Sequence, residues 1–181
     1  NALGQFRDER AATALEAVLK KGDASYYVEA MSAHALGQTR SPRAFDALSK
    51  VAMARESAND VVRSQALTGM CELKDERALP IALEWTKRGK SNAVRGAATM
   101  ALGKLGQLSD KAKDQAYDRL IELLSDDWLR VRLNAVAALA DLKDVRALGE
   151  LSRTVDRDLD GRVIRYAREA MARIRDGADK G

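Results

Sequence analysis

The chain has 181 residues, 46% apolar but only 4% aromatic, with two prolines and one cysteine, and 31 basic against 27 acidic side chains leave a net charge of +4. The lone Cys71 excludes a disulfide framework and a cysteine-based zinc site, and no apolar run reaches the ~18 residues a membrane span needs. A core of Ala, Leu and Val suits closely packed helices, while the interleaved charge permits polyanion binding without arguing for it. The N-terminus lacks the basic-then-apolar layout of a signal peptide, which leaves the compartment unassigned, with cytoplasm as the default and an exported parent, its signal upstream, as the alternative.

The phrase ALGQFRDERA returns as ALGQTRSPRA, CELKDERA and ALADLKDVRA, a period of about 34 residues that predicts stacked helix pairs. Residues 1–9 read as the end of a preceding helix, because Ala2-Leu3-Gly4 matches the last turn of a second helix whose beginning lies upstream; Asn1-Ala2 also fits a cloning remnant. The first full pair then carries Ala11, Leu15 and Val18 on its first helix, and Val28, Ser32, Ala35, Leu36 and Thr39 on its second. The second pair repeats this as Ala44, Leu48 and Val51, then Val62, Ala66, Gly69, Met70 and Leu73. The third has Ala78, Ala82 and Trp85, then Val94, Ala98, Ala101, Leu102 and Leu105. Ala116, Leu120 and Leu123 with Val131, Ala135, Ala138, Leu139 and Leu142 make the fourth. The fifth has Ala147, Leu151 and Thr154, then Val163, Ala167, Ala170, Met171 and Ile174. Offsets 0, 4, 7, 8 and 11 from each valine trace one face of a helix, and their small residues let neighbouring helices approach closely. The last helix mixes arginines among its apolar residues and runs into a polar tail, 176–181, the pattern of a terminal cap.

Asp23, Asp126 and Asp158 each stand five residues before an aligned valine, where a short carboxylate accepts hydrogen bonds from a turn or helix start. Arg63, Arg95 and Arg132 directly follow their valines and are expected to pair with loop acids of the adjacent repeat. The V-R-x-x-A-x-x-A-L-G pattern of Val94 to Gly103, nearly restored in Val131 to Ala140, resembles the HEAT repeat. The fold class expected is therefore all-α, an α-α superhelix of about five HEAT-like pairs over residues 10–175.

Chemistry finds little footing. His34 is the only histidine, so no H-E-x-x-H pair, Ser-His-Asp set or histidine cluster exists, and no glycine run forms a phosphate-cradling loop. Trp85 sits in a core register slot, and Trp128, Tyr26 and Tyr27 fall in first helical turns where a large apolar residue staples the chain entry. The faces of the second helices turned away from the first helices collect Met31, His34, Gln38, Gln65, Thr68, Met100, Asn134 and Tyr166, the candidate concave-face contacts. HEAT-like alkylpurine DNA glycosylases cradle DNA on a basic face of this kind, but here the face is small and weakly polar. It suits peptide or protein better than phosphate, and no nucleic acid or membrane partner is expected.

Several phrases resemble one group more closely: DASYYVEAMSAHALGQTRSPRAF (23–45), SANDVVRSQALTGM (57–70), ALPIALEWTKRGK (78–90), SDDWLRVRLNAVAAL (125–139) and DRDLDGRVIRYAREAM (156–171). They are similar to the C-terminal HEAT-like domain of bacterial zinc aminopeptidases of the aminopeptidase N type. The resemblance implies a non-catalytic domain that packs on an upstream catalytic domain and limits substrate access. Zinc would belong to that upstream domain, since H-E-x-x-H and G-x-M-E-N are absent here, and this chain would hold no catalytic, metal or cofactor residue. The alternatives are a HEAT-type interaction scaffold and a DNA-binding HEAT-like solenoid.

Overall fold

The computed structural model describes residues 9–22, 25–54 and 60–178, which form ten α-helices with no strand among them. In chain order they are α1 (Glu9–Lys21), α2 (Tyr26–Gln38), α3 (Ala44–Ala54), α4 (Val61–Leu73), α5 (Ala78–Trp85), α6 (Asn92–Leu105), α7 (Asp110–Leu123), α8 (Leu129–Leu142), α9 (Ala147–Arg157) and α10 (Gly161–Ala178). The chain divides into two compact units, residues 1–78 and 79–181.

In the first unit α1 packs on α2 and α3 on α4, and the main packing runs between the second helices α2 and α4. Glycines make that closeness possible. A Cβ on Gly37 would fall 2.2 Å from the Gly69 carbonyl oxygen and 2.3 Å from the Gly69 Cα, so the two backbones touch where both residues lack side chains. In the second unit α6 packs on α8 and α8 on α10, with α7 and α9 behind their partners, and Gly103 meets Ala138 in the corresponding way.

The predicted columns form the core in four of five repeats. Val62, Val94, Val131 and Val163 are buried, as are Ala66, Ala98, Ala135 and Ala167. The first repeat departs from the pattern. Val28 is 42% exposed and Ala35 and Thr39 are half-buried; Ser32 and Leu36 are buried as the column predicts, joined by Glu29, Ala30, Ala33 and Gly37, because the chief neighbour of α2 is α4 and the buried stripe turns that way. Likewise α1 buries Ala12 and Leu19, while Ala11, Leu15 and Val18 are half-buried. At the other end α10 continues through Asp176, Gly177 and Ala178, so the expected polar tail begins as helix; the Lys143 side chain lies beside Gly177. At the N-terminal boundary Glu9 already belongs to α1, and residues 1–8 lie outside the described ones, as does the expected cap Asp23.

Two sets of loop residues tie repeat to repeat. The first is an arginine–aspartate ladder in the second unit. Arg95 Nε donates to the Thr86 carbonyl at 3.2 Å and its guanidinium pairs with Asp126, both side chains being less than a tenth exposed. Arg132 donates to the Asp126 carbonyl at 2.9 Å and to Asp158 at 2.8 Å. Each aspartate also accepts a backbone N–H two residues on, from Trp128 and from Asp160, so the residues read as caps do cap their turns. Arg63 is also tied within its own repeat. It reaches Asp60 of its own turn at 3.3 Å and the Ala52 carbonyl at 3.0 Å, and the position equivalent to Asp126 in the third repeat is Gly89, which carries no carboxylate.

The second set is a clamp in the D-x-R-A loops. Asp75 accepts the Arg77 backbone N–H at 2.9 Å and holds the Arg77 guanidinium, which lies 4.0 Å over the Phe45 ring and reaches Asp46 of α3. Asp144 and Arg146 repeat this against Tyr117 and Asp114 of α7. In the earlier TRSPRA loop Ser41 takes the aspartate's place, and Arg43 reaches Glu9 and Thr13 of α1. An arginine held flat by its own aspartate and stacked on a ring ties its loop at two points to the preceding first helix. The hydrogen bonds from Arg77 and Arg146 hold the Asp75 and Asp144 carboxyls below the ordinary carboxylate range, and Arg162 does the same for Asp160, down to about 2.

Candidate interaction surface

In the first unit the outward side of α2 carries four exposed large apolar side chains. Tyr26 is 52% exposed, Tyr27 69%, Val28 42% and Met31 36%. Tyr27, Met31, His34 and Gln38 follow at intervals of 4, 3 and 4 and so share one helical stripe. Met31 and Gln38 are exposed and His34 half-exposed, and Gln65 and Thr68 on neighbouring α4 are half-exposed. The Thr68 hydroxyl donates to the Ser64 carbonyl one turn back. None of these side chains is a lysine or an arginine.

The expectation that Tyr26 and Tyr27 staple the entry of α2 does not hold. Both rings face solvent, because α2 turns its buried side to α4 and its first turn away from the core. Trp128 does keep the structural role expected of it. It stands at the start of α8, half-buried, with its ring against Gly96 of α6, while Trp85 is buried. Periodicity could not separate these residues, since it marks equivalent slots without showing which are covered.

The second unit presents a more occupied face. Met100 is half-exposed, the Asn134 amide donates to the Gly96 carbonyl at 2.9 Å, and Tyr166, 41% exposed, has the Arg165 guanidinium 5.4 Å from its ring centre. Asp141 is held by Arg173 at 2.8 Å, and Gln107 donates to the carbonyls of Gly103 and Asp141. Polar groups here are used to join α6, α8 and α10. The candidate residues thus separate into Met31, His34, Gln38, Gln65 and Thr68 on one unit and Met100, Asn134 and Tyr166 on the other. Among the described residues no group of three His, Cys, Asp or Glu is placed to hold a metal ion, and no helix is long and apolar enough to cross a membrane.

The family described as HEAT repeats matches residues 51–115, and the PBS lyase HEAT-like repeat matches residues 1–21. The fold is that of a HEAT-repeat solenoid. No curated protein matches it. Among solved structures, it is similar to a chain of the CpcE–CpcF complex of phycocyanin lyase from Nostoc sp. PCC7120, at 21% identity and a TM-score of 0.72, over 90% of this chain and 99% of that one. It is also similar to two engineered proteins. One is 17% identical with a TM-score of 0.51, over 97% of this chain and 88% of the other; the second is 18% identical with a TM-score of 0.53, over 91% and 47%. At these identities the likeness is one of fold.

Proposed function

We propose that this chain is a HEAT-type protein-interaction scaffold that performs no chemistry itself and binds a protein through the outer face of α2 and the adjacent edge of α4. The observation that carries this reading is the run Tyr26, Tyr27, Val28 and Met31, four large apolar side chains exposed within two turns of one helix. A fold with enough small residues to bury its helices closely has no packing use for two exposed tyrosines, and rigid amphipathic rings of this kind dominate protein contacts. A nucleic-acid partner would need basic side chains along the stripe, and it has none. The structural neighbour from phycocyanin lyase stands in a complex of two different subunits, which agrees with a fold used for protein contact.

The experiment is affinity capture from the source cell extract with the intact chain and with a Tyr27→Ser/Met31→Ser variant, scored by quantitative mass spectrometry. The reading expects one or a few proteins to be retained by the intact chain and lost by the variant, with unchanged helical content. Equal retention by both would overturn it.

A narrower reading names the partner. The phrases similar to the aminopeptidase N-type C-terminal domain make a zinc aminopeptidase catalytic domain the surface that α2 meets, with the HEAT repeats limiting access to its chamber. It expects the captured protein, or the same polypeptide upstream, to carry H-E-x-x-H with a later Glu; a partner without that motif refutes it. In either case this chain, incubated with aminoacyl substrates with or without zinc, is expected to show no turnover.

A further inference from the structure

Within each unit the second helices stack in a common register. Counted from the aligned valine as position 0, position 9 of one second helix meets position 7 of the next. Gly37 lies against Gly69 in this way, and Gly103 against Ala138, where an added Cβ would fall 2.8 Å from the Ala138 Cα. Position 2 meets position 3 and the start of the following helix: the Gly96 carbonyl accepts the Asn134 amide at 2.9 Å, and the Trp128 ring lies alongside Gly96. The leading helix α6 thus presents two glycines seven residues apart, and the leading helix α2 has Ala30 and Gly37 at the same two positions, both buried. The following helix turns positions 3 and 7 and its first turn toward the helix before it.

Among the described residues α2 has no second helix before it, and its uncovered positions are the ones such a helix would cover. Val28 at position 0 is 42% exposed, whereas Val62, Val94, Val131 and Val163 are buried. Ala35 at position 7 is half-buried, whereas Gly69, Ala101, Ala138 and Ala170 are buried. Met31 stands at the position of Asn134, and Tyr26 and Tyr27 stand in the helix start where α8 places Trp128 against α6. The exposed α2 face is therefore one half of the joint that the chain builds between α6 and α8. Its shape specifies the other half.

A second copy of this chain does not supply it. The second helix at the other end, α10, holds Arg165 at position 2 and Ala172 at position 9, both exposed, with Arg168 between them. Stacked head to tail, the Arg165 guanidinium would replace a glycine over Met31, and the stripe of Tyr27, Met31, His34 and Gln38 has no acid to receive it.

Building on the protein-binding reading, we infer that the partner polypeptide seats a HEAT-type second helix on α2, running parallel to it, with small residues seven apart. The first of these lies under the Tyr27 ring and Met31, as Gly96 lies under Trp128 and Asn134. The second rests on Ala35, as Gly103 rests on Ala138. Close approach needs both residues to be small, because a larger side chain at either point holds the two backbones apart.

The test uses the full chain and a fluorescein-labelled peptide of residues 90–107, which carries Gly96 and Gly103 and is held helical by a lactam bridge replacing Ala93 and Ala97. Fluorescence anisotropy is expected to give a Kd below about 100 μM. The same peptide with Gly103→Leu is expected to bind at least about tenfold more weakly. In the chain, Ala35→Leu should weaken the unaltered peptide by a similar factor without lowering the thermal midpoint, while Met31→Asn, which installs the α8 residue, should keep binding within about threefold. Absence of binding, equal binding by the Gly103→Leu peptide, or no effect of Ala35→Leu would overturn the inference. Binding seen only after residues 1–8 are removed would assign the face to the chain's own leading segment and overturn it too, as would a concentration-dependent dimer of the chain abolished by Ala35→Leu in analytical ultracentrifugation. Partner capture separates the two readings. A protein lost by Tyr27→Ser/Met31→Ser but kept by Ala35→Leu sustains protein binding and overturns the stacked helix, whereas peptide binding without any captured protein sustains the stacking geometry and overturns the function reading.

Discussion

Removing the Asp126 carboxylate tests the arginine–aspartate ladder at its most buried point. In the native chain Asp126 serves three donors: the Arg95 guanidinium and the Trp128 backbone N–H on its side chain, and Arg132 on its carbonyl. Asp126→Ala keeps the carbonyl but strands the Arg95 charge, whose side chain is 8% exposed and retains only the Thr86 carbonyl. Breaking a buried pair from one side costs about 3–5 kcal/mol, because the remaining charge is desolvated without its counter-ion. At about 2–4 °C per kcal/mol for a chain of this size, the thermal midpoint should fall by roughly 6–20 °C. Circular dichroism melts and urea titrations of wild type, Asp126→Ala, Arg95→Met and the double variant close the cycle. The double variant should recover most of the loss, since neither buried charge is then left alone. A loss under about 1 kcal/mol in Asp126→Ala would mean that the pair is no stronger than a solvated surface pair, and the ladder would not be what joins these repeats.

Gly37→Ala should destabilise the first unit by about 1–3 kcal/mol or more, measured by urea denaturation, because the new Cβ meets Gly69 backbone and not a side chain that could swing away. Lys74 closes α4 at φ 54, so Lys74→Gly should stabilise by about 1 kcal/mol in the same assay. The lowered carboxyls of Asp75, Asp144 and Asp160 contribute stability that is fully present above the ordinary carboxylate range and lost as pH falls through their depressed values. Acid titrations should therefore show stability declining from about pH 4 toward 2, with a shallower decline in Asp75→Asn/Asp144→Asn.

The repeat was legible because its demands are local and recur. A small residue at each close approach and a leucine or methionine one position on leave the same mark five times, so the columns through Val94 and Val131 predict burial without any structure. What fails to transfer is the environment of a slot. Val28 holds the valine position but is 42% exposed, where Val62, Val94, Val131 and Val163 are buried. Sequence equivalence fixes where a residue falls in the pair, while its burial depends on which neighbours cover that pair, and α2 has most of its packing on one side. The D-x-R-A clamps were the opposite case. Their signal stood in the sequence as the very phrases that disclosed the repeat, but the partner of each arginine is an aromatic and an acid about 30 residues earlier, a pairing that a local reading of the loop does not expose.

The same contrast locates the interaction surface. Among the described residues the repeat-to-repeat links include arginine with carboxylate, carbonyl or ring, side-chain amide with carbonyl, and glycine against backbone, and the polar ones consume the groups they use. On the second unit those links reach the outer helices themselves: Asn134 binds the Gly96 carbonyl, Arg173 binds Asp141, and Gln107 bridges Gly103 and Asp141. On the first unit the second helices are brought together by Gly37 and Gly69 instead. Backbone contact of that kind needs no side chain from the outer stripe, so Tyr27, Met31, His34 and Gln38 are not required for joining α2 to α4. A surface patch that serves no internal link is free to be selected for an external one. Substitutions at Tyr27 and Met31 should for this reason change partner capture while moving the thermal midpoint little, whereas Gly37→Ala, which touches no exposed atom, should do the reverse to stability and disturb capture only through it.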